Sequence, residues 1–124
     1  MYNQIAGGNN GKTFGQILKE LRRAKGVSQR NLAEKVGVDF SYISKIENDR
    51  LPPPAADTIV RICEALSVPP DELLSTTGKM PTSAKEMIGT SSAALQFIRE
   101  AEEMKLSESE WEQLVEKLKY LRKD

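Results

Sequence analysis

The chain has 124 residues, 39% of them apolar and 29% charged, the balance of an ordinary globular protein with room for one modest domain and an appendage. It has no histidine and a single cysteine, Cys63, which excludes His-based metal sites, a Ser-His-Asp triad, a cysteine-built zinc site and an internal disulfide. No apolar run reaches the length of a membrane span, and the polar start MYNQIAGGNNGK lacks a signal peptide's hydrophobic stretch, so a cytoplasmic protein without membrane association is expected.

Residues 1–12 read as a flexible tail. Its end, AGGNNGKT at 6–13, approaches the phosphate loop G-x-x-x-x-G-K-[ST]. Ala6 stands at the first glycine, however, and MYNQI is too short and polar for the strand such a loop follows. Thr13 with Gln16 forms a capping box, opening a helix FGQILKELRRAKG with Phe14, Ile17, Leu18 and Leu21 at helical spacing and Gly26 as its stop. Ser28 caps a second helix, with Val27 and Leu32 as a hydrophobic staple. Leu32, Ala33 and Val36 give that helix its packed face, and Gly37 sits where the chain turns into φ > 0. Asp39 caps a third helix, stapled by Val38 and Ile43, with Ile43 and Ile46 inward. Helix, glycine turn, helix across 29–48 is the helix-turn-helix unit. A plain helical hairpin is the alternative.

The prolines of DRLPPP then forbid helix. A fourth helix runs roughly from Ala55 to Leu66, with Ile59, Ile62, Cys63 and Leu66 on one face and no side-chain cap at Ala55. A short fifth begins at Pro69-Pro70, with Asp71 and Glu72 at its positive end and Leu73 and Leu74 inward. The expected fold class is all-α, with a five-helix domain over 13–78.

The net charge of zero is unevenly spread. Residues 1–50 carry nine Lys and Arg against five Asp and Glu, residues 51–78 one against four, and residues 79–124 eight against nine. The positive half therefore holds the helix-turn-helix, as DNA binding requires. On a wheel of about 100° per residue, with Ile43 and Ile46 inward, Ser41, Ser44, Lys45 and Asn48 point outward, flanked by Phe40 and Tyr42. Base reading is expected from Phe40, Ser41, Ser44 and Lys45, at the start of the helix. Lys45 suits guanine O6 and N7, the serines donate or accept, and Phe40 meets a thymine methyl. Phosphate contacts are expected from Ser28, Gln29, Arg30, Asn48 and Arg50, the first two through helix N-terminal amides. Packing at the core edge is the alternative role for Phe40 and Tyr42, and solvated surface for Arg30.

The Ser28-Gln29 pair, LAEKVGV at 32–38, YISKIEN at 42–48 and IVRICEALSV at 59–68 together resemble the Cro/lambda-repressor-like family of helix-turn-helix domains. The resemblance covers residues 14–76. It implies a dimeric regulator or repressor of operator DNA, without enzymatic activity, catalytic residues, metal or cofactor. It agrees with contact roles for Gln29, Ser41, Lys45 and Asn48. The chain departs from some phage repressors at Pro52, Pro53 and Pro54, where those proteins place basic residues near the minor groove; only Arg50 is available here.

Residues 79–92 read as a linker with a short helical turn at Ala84–Ile88. A helix from about Ala93 to Lys105 follows, carrying Leu95, Ile98 and Ala101. A second opens at Ser107 with the capping box Ser107–Glu110 and the staple Leu106–Trp111. Trp111, Leu114, Val115, Leu118 and Leu121 form its apolar stripe. Two such helices, residues 93–124, cannot enclose their own stripes. The stripe folds back on the first domain, pairs with a second copy, or takes a different protein. ALQFIREAEEMKLSESEWEQLVEKLKYLRK is similar to the C-terminal hairpin of the Sin-type repressors of spore-forming bacteria. That resemblance implies a homodimer through the hairpin, displaced by a small antirepressor with a like hairpin. The competing expectation is a protein-interaction module, antitoxin-like or antirepressor-binding, whose DNA binding is autoregulatory and whose partner is a small toxin or antirepressor.

Overall fold

The computed structural model describes residues 11–123. The expected tail and the loop-like stretch at 6–13 lie, but for their last residues, outside the described part. Among the described residues all regular structure is helical: α1 (Phe14–Ala24), α2 (Gln29–Val36), α3 (Phe40–Glu47), α4 (Ala56–Ala65), α5 (Asp71–Ser75), α6 (Thr82–Gly89), α7 (Ser92–Met104) and α8 (Glu108–Lys119). None of these helices is long and apolar enough to cross a membrane.

Local chemistry sets the starts of the helices. Thr13 Oγ1 accepts from the Gln16 amide at 3.1 Å while Gln16 Oε1 accepts from the Thr13 amide at 2.9 Å, which satisfies two first-turn donors of α1. Ser28 Oγ accepts from the Asn31 amide at 3.0 Å and opens α2. Asp39 is a correction: it occupies the N-cap position of α3, but its carboxylate makes no cap hydrogen bond. The Tyr42 amide, which a capping side chain would take, instead donates to the Asp39 carbonyl at 3.1 Å. α4 starts at Ala55 without a side-chain cap, with Asp57 in its first turn.

Four helices end alike. Gly26, Gly37, Asp49 and Ser67 each adopt the left-handed conformation, and the next residue's amide donates back to the carbonyl five positions earlier. At Gly37 (φ 85°) the turn between α2 and α3 closes with Val38 N to Ala33 O at 3.0 Å. Asp49 does the same at the end of α3 with φ 58°, where glycine is the usual choice. Its carboxylate accounts for the exception: Oδ2 accepts from Thr13 Oγ1 at 2.5 Å and Oδ1 from the Gly15 amide at 3.1 Å. The end of α3 is thereby fastened to the start of α1.

The core of α1–α5 is built from Phe14, Leu18, Leu32, Ile43, Ile46, Ile59, Ile62 and Leu73, all essentially without solvent contact. Cys63 lies among them, and burial, with the negative charge of Asp71 adding to it, pushes its thiol up to about 11. α1 lies close against the end of α3 at Gly15, where a β-carbon would lie 2.4 Å from the Glu47 carbonyl oxygen.

The stretch after α5 is tied to the proline loop. Lys79 Nζ donates to the carbonyls of Pro53 and Pro54 at 3.1 and 3.0 Å, and Asp57 accepts from the Thr82 amide and hydroxyl at 2.9 and 2.7 Å. The chain divides into two compact units between Ala84 and Lys85, inside α6. Within the second unit, Ser91 caps α7, Lys105 turns the chain with φ 52°, and Ser107 and Glu110 form the capping box of α8. Ala101 is buried there, and the Phe97 and Trp111 rings lie 6.4 Å apart at a tilt of 53°.

Gly15→Ala should destabilise the chain by about 1–3 kcal/mol, because the added methyl meets backbone that cannot swing aside. Gly89→Ala, which meets nothing within 4 Å, should leave stability nearly unchanged. Urea unfolding of the two variants checks the contrast; equal effects would show that the α1–α3 approach is not the constraint.

Candidate nucleic-acid interface

α3 has two distinct sides. Ile43 and Ile46 are fully buried and fix which face is inward. Glu47 follows one position later and is also buried, 3% exposed. A buried carboxylate requires a partner, and α1 supplies it. Arg22 Nε donates to Glu47 Oε2 at 2.6 Å and Nη2 to Oε1 at 2.9 Å, a two-pronged ion pair. The third prong, Nη1, donates to the Val27 carbonyl at 2.8 Å between α1 and α2. Hydrogen bonding to Glu47 raises the Arg22 pKa, against the lowering effect of burial. Gln29 Nε2 donates to the same Glu47 Oε1 at 2.9 Å. One carboxylate therefore joins α1, α2 and α3.

The opposite side of α3 faces solvent. Phe40 is 40% exposed, Ser41, Lys45 and Asn48 are exposed, and Ser44 is half-buried. Arg50 is exposed beyond the helix end, its backbone held by Arg50 N to Lys45 O at 2.8 Å. The four residues expected to read bases thus share one outer strip of α3. Tyr42 divides from Phe40: it is half-buried against the core, which raises its pKa, whereas Phe40 is no part of the core cluster.

The expected phosphate residues fall into two groups. Asn48 and Arg50 lie at the far end of α3. Ser28, Gln29 and Arg30 lie at the start of α2, where the first amides have no intrahelical carbonyl to bond. Arg30 is exposed, and its guanidinium carbon sits 4.5 Å from the centre of the Phe40 ring. Lys19 and Arg23 of α1 join Ser28, Gln29, Arg30 and Phe40 around one open concavity of about 440 Å³. Sequence reasoning passed over Lys19, Arg22, Arg23 and Glu47. For the ion pair a signal existed: Arg22 falls four residues after Leu18 and Glu47 four after Ile43, so opposite charges sit on two apolar faces.

In the second unit, Leu95, Ile98, Trp111, Val115, Leu118 and Leu121 are exposed and Leu114 is half-buried. Leu118 and Leu121 reach 65% and 77% exposure. A groove of about 500 Å³ between α7 and α8 is lined by Phe97, Ala101, Met104, Leu106 and Leu114 among others.

Residues 18–73 match the helix-turn-helix family. RghRB of Bacillus subtilis (strain 168), an uncharacterised HTH-type transcriptional regulator, is 36% identical over 74 residues, 60% of this chain and 53% of that protein. SinR of the same organism, an HTH-type transcriptional regulator, is 38% identical over 61 residues, 49% of this chain and 55% of that protein. The chain spans about half the length of these curated relatives. The solved structure of the master regulator for biofilm formation SinR in complex with DNA is 37% identical, covers 50% of this chain and 98% of that one, and superposes with a TM-score of 0.47.

Glu47→Ala should cost about 3–5 kcal/mol, since it strands the Arg22 guanidinium in a dry site. Replacing both partners, Arg22→Met with Glu47→Leu, should recover most of that loss. Urea unfolding of the single and double variants measures it; a double variant as weak as the single one would refute the ion-pair account.

Proposed function

We propose, for a chain that carries a helix-turn-helix domain of the Cro/C1 type, that it is a sequence-specific DNA-binding transcriptional regulator acting as a dimeric repressor. The observation that carries the reading is the outer strip of α3: a hydrogen-bonding, basic surface held by a buried opposite face, beside the N-terminal end of α2. The two relatives' names as transcriptional regulators support it.

In this reading α3 enters the major groove. Phe40, Ser41, Ser44 and Lys45 meet base edges, with Lys45 donating to guanine. Ser28, Gln29 and Arg30 hold a backbone phosphate on one side, Asn48 and Arg50 on the other. Two subunits read a two-fold operator, pairing through Leu95, Ile98, Trp111, Leu114, Val115, Leu118 and Leu121 of the hairpin. The exposure of all of these but the half-buried Leu114 supports a covering partner, since apolar patches of this kind mark interaction sites. Occupation of the operator excludes the polymerase.

A second reading makes the hairpin the principal working surface, capturing a small protein with a similar hairpin while DNA binding serves autoregulation. The same exposed stripe favours it.

In vitro selection with the full chain should enrich a duplex with two-fold symmetric half-sites. On that duplex Lys45→Ala should lose about 1–3 kcal/mol and relax preference at one base pair. Equal weakening on every sequence would make Lys45 a phosphate contact instead.

Truncation after Gly89, which keeps the Lys79 and Thr82 bonds, should give a folded monomer with much weaker operator binding. Sedimentation reads the outcome. A truncated chain that still sediments as a dimer would exclude pairing through the hairpin, and a full-length chain that is monomeric until a partner is added would favour the second reading.

A further inference from the structure

Arg30 and Phe40 belong to different helices and different expected roles, phosphate for one and base for the other. The structure puts the Arg30 guanidinium carbon over the Phe40 ring, 4.5 Å from its centre. Phe40 is the first residue of α3, outside the core cluster, and 40% exposed. Its ring therefore stands at the edge of the domain and not in the core. Arg30 is the second residue of α2, and among the described residues its guanidinium makes no hydrogen bond or ion pair. Both border the concavity that also contains Ser28 and Gln29.

A guanidinium is planar. Its flat face stacks on an aromatic ring while its N–H edge remains free to grip a phosphate, and an ammonium cannot do both. A phenyl ring in the major groove has no hydrogen bond to offer, and the apolar mark there is the thymine methyl. We propose that Arg30 is a positioning residue for base reading: with its edge on a backbone phosphate and its face on Phe40, it holds that ring against a thymine methyl. The inference rests on the DNA-binding reading above. It adds a mechanical coupling, in which a contact that carries no sequence information sharpens one that does.

The test uses the full chain and the duplex it enriches from a random library. Each thymine is replaced singly by deoxyuridine, which removes the methyl and nothing else. Wild type should lose about fourfold at one thymine in each half-site. Phe40→Ala should bind thymine and uracil there equally. Arg30→Lys should keep the salt dependence of wild type, because the positive charge remains, yet lose most of the discrimination. The readout is a ratio within each variant, so a general loss of stability cancels from it. Full methyl discrimination in Arg30→Lys would reduce Arg30 to a phosphate contact and overturn the coupling. A wild type indifferent at every thymine, or a site enriched without one, would overturn the role of Phe40. Failure to enrich any duplex would instead remove the DNA-binding reading, and the coupling with it.

Discussion

The Arg22–Glu47 pair is the contact on which the arrangement of the first unit depends. Taking both groups out of water is costly, and the cost is offset because the guanidinium meets the carboxylate with two donors and spends a third on the Val27 carbonyl. Such a pair tolerates little displacement, unlike a cluster of aliphatic side chains. It sets the rotation of α3 about its axis. With Glu47 and the two isoleucines inward, helical periodicity leaves Ser41, Lys45 and Asn48 outward. Gln29 draws α2 to the same carboxylate, so the amide end of α2 and the outer strip of α3 take a fixed relation. Asp49 and Gly15 secure the other end of the α1–α3 contact, one by hydrogen bonds and the other by the absence of a side chain.

Much of this was legible in the sequence where the interaction is local. The capping boxes at Thr13 and Ser107, the cap at Ser28 and the turn at Gly37 each involve residues three to five apart, and the chain itself sets that distance. The core positions followed from periodicity in the same way. What was not legible joins distant residues: Arg22 with Glu47, Thr13 with Asp49, Thr82 with Asp57, Lys79 with the Pro53 and Pro54 carbonyls. Separations of 25 to 36 residues depend on how helices pack, which no spacing rule contains. Asp39 shows the limit of even a local rule. The residue type suits a cap, but the amide it would have accepted was taken by its own carbonyl. Among site residues, the wheel set Ser41, Lys45 and Asn48 outward and the two isoleucines inward, as the structure has them, but Ser44, expected outward, is half-buried, and the buried Glu47 was passed over. The wheel had no means of seeing that Arg30, on another helix, lies over Phe40.

The two units solve opposite problems. The first buries its aliphatic residues and exposes charge, as a folded domain does. The second is a pair of well-capped helices whose larger apolar side chains remain at the surface. Caps and local hydrogen bonds define the ends of those helices, while the apolar stripe stays in contact with solvent. The residues that order these helices are thus different from those that leave apolar surface exposed.

The single tryptophan of the chain, Trp111, stands in that hairpin beside Phe97, and none is found in the helix-turn-helix. Intrinsic indole emission is therefore a private signal of the second unit. The ring is partly in contact with water, so its spectrum responds to whatever comes to cover it. The first unit contributes only tyrosine and phenylalanine to the light the protein emits. An event at the hairpin and an event at α3 are thus optically separable in the unmodified chain, without a label on either.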